Sequence, residues 1–282
     1  TFVKYKNNPV LDENKKDFRD PKVFKYKDHW IMCAAQPLVH QISFYRSDNL
    51  INWEHLSDFG PAAAVDGVWE CPDLFPLEFE GQEVWVLIVS LNPGGLYGSG
   101  TQYFIGDFDG TNFTPRYSTS EPRWIDFGKD NYAGITFNNE PHGKRIFIGW
   151  LANWSDVKDH PETSWTTQMT VARELGLAKV NNEIVVTQQP ITKPTYEIKT
   201  IAPEKGVIGL EGFVKVGYNA DTKKVFIDKY EAPYEPHNDK LHLKVIVDRA
   251  SVELFTGDGV RAITLATFPP AGTSRELTPF GI

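Results

Sequence analysis

The sequence is 282 residues long, 41% hydrophobic and 23% charged, a globular composition with room for one large domain or two ordinary ones. A net charge of −8 without any basic stripe excludes a nucleic-acid partner and fits a neutral or cationic one, and the longest apolar run, "VWVLIV", is far short of the roughly 20 residues of a membrane helix. Two cysteines, Cys33 and Cys71, are too few for a disulfide scaffold, so both are expected as buried free thiols and stability has to come from the core.

Helical periodicity is scarce, and short apolar runs recur between clusters of Gly, Pro, Asn and Asp, which predicts an all-β chain. In chain order, "TFVKY" matches the outer, last strand of a repeating unit whose other strands would lie ahead of Thr1, so the chain is expected to begin inside a propeller. The first whole unit runs from "FRDPKVFKYKDHWIMCAA" to "ISFYRSDNLINWEHL". The second runs from "WECPDLFPLEFEGQEVWVLIVS" to "TQYFIGDFDGTNFTP", and the third from "GKDNYAGITFNNEPHGKRIFIGW" to "TTQMTVAREL". Each holds about four strands, the sequence pattern of a β-propeller. Around residue 185 the stretch "NNEIVVTQQPITKPTYEIKTIAPEKG" reads as the join to a second domain. Alternating segments such as "KLHLKVIVDRASVELFTGDGVRAITLATF" then predict a small antiparallel sandwich, whose ending "PPAGTSRELTPFGI" does not read as a core strand. The division is set at residues 1–190 for the partial propeller and 191–282 for the sandwich.

First strands of propeller blades line the central axis, so acids at their starts are expected to converge. Asp20, Glu70 and Asp130 each begin the first strand of one unit and are read as sharing a repeat position. Converging carboxylates in an aromatic-rich chain suit glycoside hydrolysis, with one acid protonating the leaving oxygen and another acting on the anomeric centre. Arg19, beside Asp20, would keep that aspartate ionised and hold a sugar hydroxyl. The chain has no Gly-rich phosphate loop, no G-x-S-x-G elbow and no metal-ligand spacing among its seven histidines; neither a cofactor nor a metal is expected.

The segments "FRDPKVF", "WECPDLFPL", "DFGKDNYAGITF", "IGWLANW" and "VDRASVELF" closely resemble glycoside hydrolase family 32, the invertases, levanases and exo-inulinases. The resemblance implies a five-bladed β-propeller, incomplete at the N-terminus here, followed by a short β-sandwich, and a retaining hydrolase that releases terminal β-D-fructofuranosyl residues from sucrose or fructans. It makes Glu70 the acid/base and Asp20 the transition-state stabiliser, and it sets Arg19, Cys71, Asp130, Tyr132 and Trp150 around fructose. A secreted or extracellular protein is expected, with a cytoplasmic location as the alternative. Two departures stand out. The family's nucleophile belongs to an "N-D-P-N-G" motif absent from these residues, and the loop "VKDHPETSWTTQM" lacks the usual "P-W-R". A non-catalytic fructan-binding relative and an arabinanase- or xylosidase-like propeller hydrolase therefore stay open as readings. Of the two sequons, at Asn112 and Asn153, neither is expected to carry a glycan.

Overall fold

In the computed structural model, which describes residues 2–161 and 165–281, strand follows strand with only three single-turn 3₁₀ helices between them among the described residues. Alternating Val, Ile, Phe, Tyr and Trp bounded by Gly, Asn and Asp turns favour a pleated, half-buried surface over a helix. No helix is long and apolar enough to cross a membrane among the described residues. The chain divides into two compact units, Thr1–Asn92 with Gln102–Arg123, and Pro93–Thr101 with Trp124–Ile282.

The first unit holds β1 (Arg19–Tyr26), β2 (His29–Gln36), β3 (Gln41–Ser47) and β4 (Glu54–Phe59), paired in sequence order as one sheet. A second sheet repeats the plan with β5 (Val68–Phe79), β6 (Gln82–Gly95), β7 (Gly98–Phe108) and β8 (Phe113–Pro115), and the two-residue β9 (Arg123–Trp124) lies along β7. Aromatic rings fill the space between the sheets: Phe24 and Tyr26 of β1 meet Trp85 of β6 and Phe108 of β7 with centroids 5.5 to 6.5 Å apart. Trp69, fully buried, stacks on Phe59. Rings this size dominate core energetics, so much of the aromatic content is structural. The opening "TFVKY" is not a strand: residues 2–18 pair with no sheet, and Phe2 and Val3 are exposed. A strand needs an edge to donate to, and this segment has none here.

The second unit begins with β10 (Tyr132–Thr136), β11 (Arg145–Leu151), β12 (Gln168–Met169), β13 (Arg173–Val180) and β14 (Glu183–Pro190), a third sheet in which β12 is a short partner of β11. The sequence reading of 185 onward as a join is corrected in part: β14 pairs with β13 over its whole length, from Arg173↔Pro190 to Val180↔Glu183. After it come β15 (Tyr196–Ile201), β16 (Val207–Glu211), β17 (Lys215–Asn219), β18 (Lys224–Ile227), β19 (Tyr230–Pro233), β20 (Lys240–Asp248), β21 (Ser251–Thr256), β22 (Ala262–Ala266) and β23 (Thr278–Phe280). They form two sheets, ordered β15-β20-β21-β22 and β19-β18-β17-β16-β23. Both sheets send alternate residues into one core, among them Val216, Val225, Ile227, Leu243, Leu254 and Ile263, which is a sandwich. The ending contributes more than expected, because β23 extends the β16 edge and Leu277 enters that core.

The third sheet is stapled to the sandwich through "DFGKD". Phe127 and Asp130 donate their N–H groups to the carbonyls of Ala262 and Thr264 at 2.9 and 3.1 Å, while the Asp126 carboxylate accepts from the Thr264 N–H at 2.9 Å. Gly128 is required by proximity: a Cβ there would sit 2.1 Å from the Thr264 carbonyl oxygen. Gly128→Ala is expected to destabilise the full-length protein by about 1–3 kcal/mol, read from the denaturation midpoint, because the rigid β22 backbone cannot give way.

Candidate active site

Three first strands share one irregularity. Between Arg19 and Lys22 of β1, between Glu70 and Asp73 of β5, and between Tyr132 and Ile135 of β10, one extra residue is inserted against the neighbouring strand. In each the residue directly after the last paired one has left-handed backbone: Asp20 at φ 59°, Cys71 at 47°, Ala133 at 51°. Such bulges bend a strand and re-aim its side chains, and the prolines at 21 and 72 sit where no ladder donor is needed. The bulges also correct the sequence alignment of the acids. Glu70 matches Arg19 and Tyr132, Asp20 matches Cys71 and Ala133, and Asp130 lies two residues ahead of its bulge. Asp20, Glu70 and Asp130 therefore do not share a repeat position.

The first two bulges meet. Arg19 Nη2 donates to Glu70 Oε1 at 3.0 Å, its Nε lies 3.8 Å from Asp20 Oδ2, and its Nη1 lies 3.6 Å from Asp17. The Cys71 backbone N–H donates to Asp20 Oδ2 at 3.0 Å, with the thiol 3.7 Å from the same oxygen. Glu70 and Asp20 keep 21% and 29% of their side-chain surface open, enough to reach a ligand. Burial works against the charge on Arg19, but Glu70, Asp20 and Asp17 outweigh it and hold the guanidinium above its ordinary pKa. Beneath this layer Lys22 Nζ lies 3.2 Å from the fully buried Asp73 carboxylate, and the Cys33 thiol points at the carbonyls of Lys22 and Pro72. Asp17 and the Lys22–Asp73 pair escaped the sequence reading, although "RDPK" and "ECPD" contain Lys22 and Asp73.

Both cysteines are free; Cys33 is buried, whereas Cys71 is only half-buried. Desolvation, then the charges of Asp20 and Glu70, push the Cys71 thiol up to about 12. Its thiolate is therefore almost absent at pH 8. Alkylation by iodoacetamide is expected to run roughly a thousandfold slower than for a free cysteine and to become ordinary once the protein is unfolded.

In the second unit, Tyr132 and Trp150 are cross-strand partners with ring centroids 6.3 Å apart, and Trp154 leans on Trp150 at 5.0 Å. Trp150 is oriented by donating its indole N–H to Thr167 Oγ1 at 2.8 Å. Asp130 is fully buried, and its Oδ2 accepts the Ala266 N–H at 2.8 Å. Burial pushes its pKa up, while that N–H and Lys129 pull it back. It offers no exposed surface and braces the sheet against the sandwich. Lys129 also contacts Asp156, and Asp130, Asp156 and His160 bring possible ligand atoms within 4.8 Å of one another, a grouping that histidine spacing did not reveal. The Lys129 ammonium already answers the negative charge of that set. Asn153 is sealed: its amide accepts from Ser99 and Ser155 N–H groups and donates to the carbonyls of Tyr97 and Lys129, so no glycan can attach in the folded chain. Part of the loop that lacks "P-W-R", residues 162–164, lies outside the described residues.

Four-stranded sheets repeated along the chain and followed by a two-sheet sandwich, with carboxylates on bulged first strands, define a β-propeller-plus-β-sandwich architecture. Family models for the glycosyl hydrolases family 32 N-terminal domain and the glycosyl hydrolases family 32 C-terminal domain match residues 1–190 and 208–281. The chain belongs to glycoside hydrolase family 32. It is 34% identical to a levanase of Bacillus subtilis, over 95% of this chain and 49% of that protein, and 32% identical to an extracellular exo-inulinase of Aspergillus niger, over 90% and 60%. The crystal structure of exo-inulinase from Aspergillus awamori superposes with a TM-score of 0.85 at 29% identity, covering 94% of this chain and 66% of that one. A β-fructofuranosidase from Schwanniomyces occidentalis complexed with fructosyl-erythritol superposes at 0.82 with 26% identity, covering 96% and 68%. The chain thus spans about half to two thirds of the length of these relatives.

Proposed function

We propose that the protein is a retaining β-fructofuranosidase, acting outside the cell, that releases terminal fructosyl residues from sucrose or fructans. The observation that carries this reading is the Arg19 guanidinium held between Glu70 and Asp20 on neighbouring bulged strands. Glu70 is the acid/base: a partly open carboxyl, oriented by Arg19, can deliver a proton to the leaving oxygen and take one from water. Asp20, fixed by the Cys71 N–H, holds fructose hydroxyls and the positive charge that develops on the ring. Within the first unit Arg19 and Cys71 hold Asp20 and Glu70 in place for fructose; within the second, the resemblance assigns Tyr132 and Trp150 to sugar binding, and Asp130 braces the Tyr132 strand. Residues 1–190 make the catalytic propeller portion and 191–282 the sandwich. The levanase, exo-inulinase and fructosyl-complexed relatives support this substrate class.

The nucleophile falls to an "N-D-P-N-G" aspartate, which these 282 residues do not contain. The test is fructose release from sucrose, inulin and levan by the full-length protein, with the anomer of the first-formed product read by NMR. Net retention is expected, and inversion would favour the arabinanase-like reading. The 282 residues alone are expected to release no fructose, and turnover by them would require another carboxylate as nucleophile.

A further inference from the structure

In the second unit a cleft of about 510 Å³ opens between the loop after β11 and the turns that follow β20 and β22 of the sandwich. That volume suits a small organic molecule. Lys158, Arg249 and Arg275 line it, and no Asp or Glu does among the described residues. In this chain of net charge −8 several surface cations are paired with acids: Lys144 lies 2.7 Å from Glu174, Arg116 2.5 Å from Asp107, Lys224 2.7 Å from Glu231. The three cations of the cleft form no ion pair among the described residues. Arg275 instead donates to Thr267 Oγ1 at 3.2 Å and to the Arg249 carbonyl, and lies over the Phe213 ring, which fixes its fork without an ion pair among the described residues. Burial lowers its pKa, with Asp248 offsetting part of that through space. Arg249 lies over the Trp165 ring at 5.3 Å, and the Phe268 ring tilts against the His160 ring at 4.7 Å, so aromatic walls stand beside the cations.

We propose that this cleft binds a small organic anion, a flat apolar body carrying a phosphate or a carboxylate. The apolar body lies against Trp165 and Phe268, and the anionic group accepts charge-assisted hydrogen bonds from Arg249, Arg275 and Lys158. The site uses none of the residues assigned to fructose, so it stands or falls separately from the β-fructofuranosidase reading.

The test is calorimetric titration of the full-length protein with phenyl phosphate, benzoate and, as the neutral control, phenyl β-D-glucoside. At least one anion is expected to bind and the glucoside not; the tighter anion identifies the preferred head group. A double variant Lys158→Gln with Arg249→Gln, two side chains with no hydrogen-bond partner among the described residues, is expected to keep its melting temperature and to bind the anion about tenfold or more weakly. Added salt is expected to weaken binding as well. Absence of anion binding, an unchanged affinity in the double variant, or equal binding of the neutral glucoside overturns the proposal.

Discussion

Glu70→Gln in the full-length protein is expected to lower kcat on sucrose by about 10²–10⁴-fold, the usual worth of a positioned proton donor. Glutamine keeps an oxygen for Arg19 Nη2, so the guanidinium now 3.0 Å from Glu70 should stay in place and KM should change little. An activated fructoside with a good aryl leaving group needs less protonation and is expected to lose far less. Asp20→Asn provides the contrast. In the proposed role Asp20 acts on the sugar ring and not on the leaving group, so its loss should cut both substrates alike. Equal losses for the two substrates in Glu70→Gln would remove Glu70 from the role of acid.

Arg173→Met is expected to lower stability by about 3–5 kcal/mol, the usual result of removing one partner from a buried ion cluster. Arg173 has no exposed surface; it donates to Asp126 Oδ2 at 2.9 Å, Glu253 Oε2 and Gln188 Oε1 at 2.8 Å, and Thr264 Oγ1 at 2.5 Å, and its guanidinium lies over Phe255. Burial pushes the Glu253 pKa up, with Arg173 and the Val171 N–H pulling the other way. Methionine would leave two buried carboxylates facing each other. The melting temperature should fall by roughly 10 °C. Arg173→Lys should rescue little, because a single ammonium cannot reproduce the planar fork. A triple variant that also carries Asp126→Asn and Glu253→Gln should recover much of the loss. A shift of only a degree or two in Arg173→Met would show that water or rearrangement relieves the charge.

The propeller units were readable because their signal is local: apolar runs of strand length, turn residues, and "RDP" and "ECPD" at the heads of β1 and β5. The residue-by-residue equivalence of those heads was not readable. A bulge adds one residue without marking the sequence, so Glu70 and Asp20 look aligned although they differ by one position. The burial of Asp130 was hidden for another reason. "DFGKD" reads like the solvated start of a strand, and only the return of β22, more than 130 residues later, supplies the Ala266 N–H that its carboxylate accepts. Arg173 was passed over in "VAREL" on the same ground, since its acids come from positions 126 and 253. Single-segment patterns register none of these long-range partners. The opening "TFVKY" erred in the opposite direction, having strand-like composition without a neighbour to pair with.

The same left-handed position carries a carboxylate at Asp20, a thiol at Cys71 and a methyl at Ala133. A backbone fitting that accepts three such different groups separates what a strand presents from how it folds. Aspartate and asparagine adopt this conformation more readily than alanine does, so Ala133→Asp or Ala133→Asn should be accepted by the β10 backbone. For a protein engineer, and equally for a lineage changing by single substitutions, position 133 is a socket in which new chemistry can be installed without redesigning the sheet.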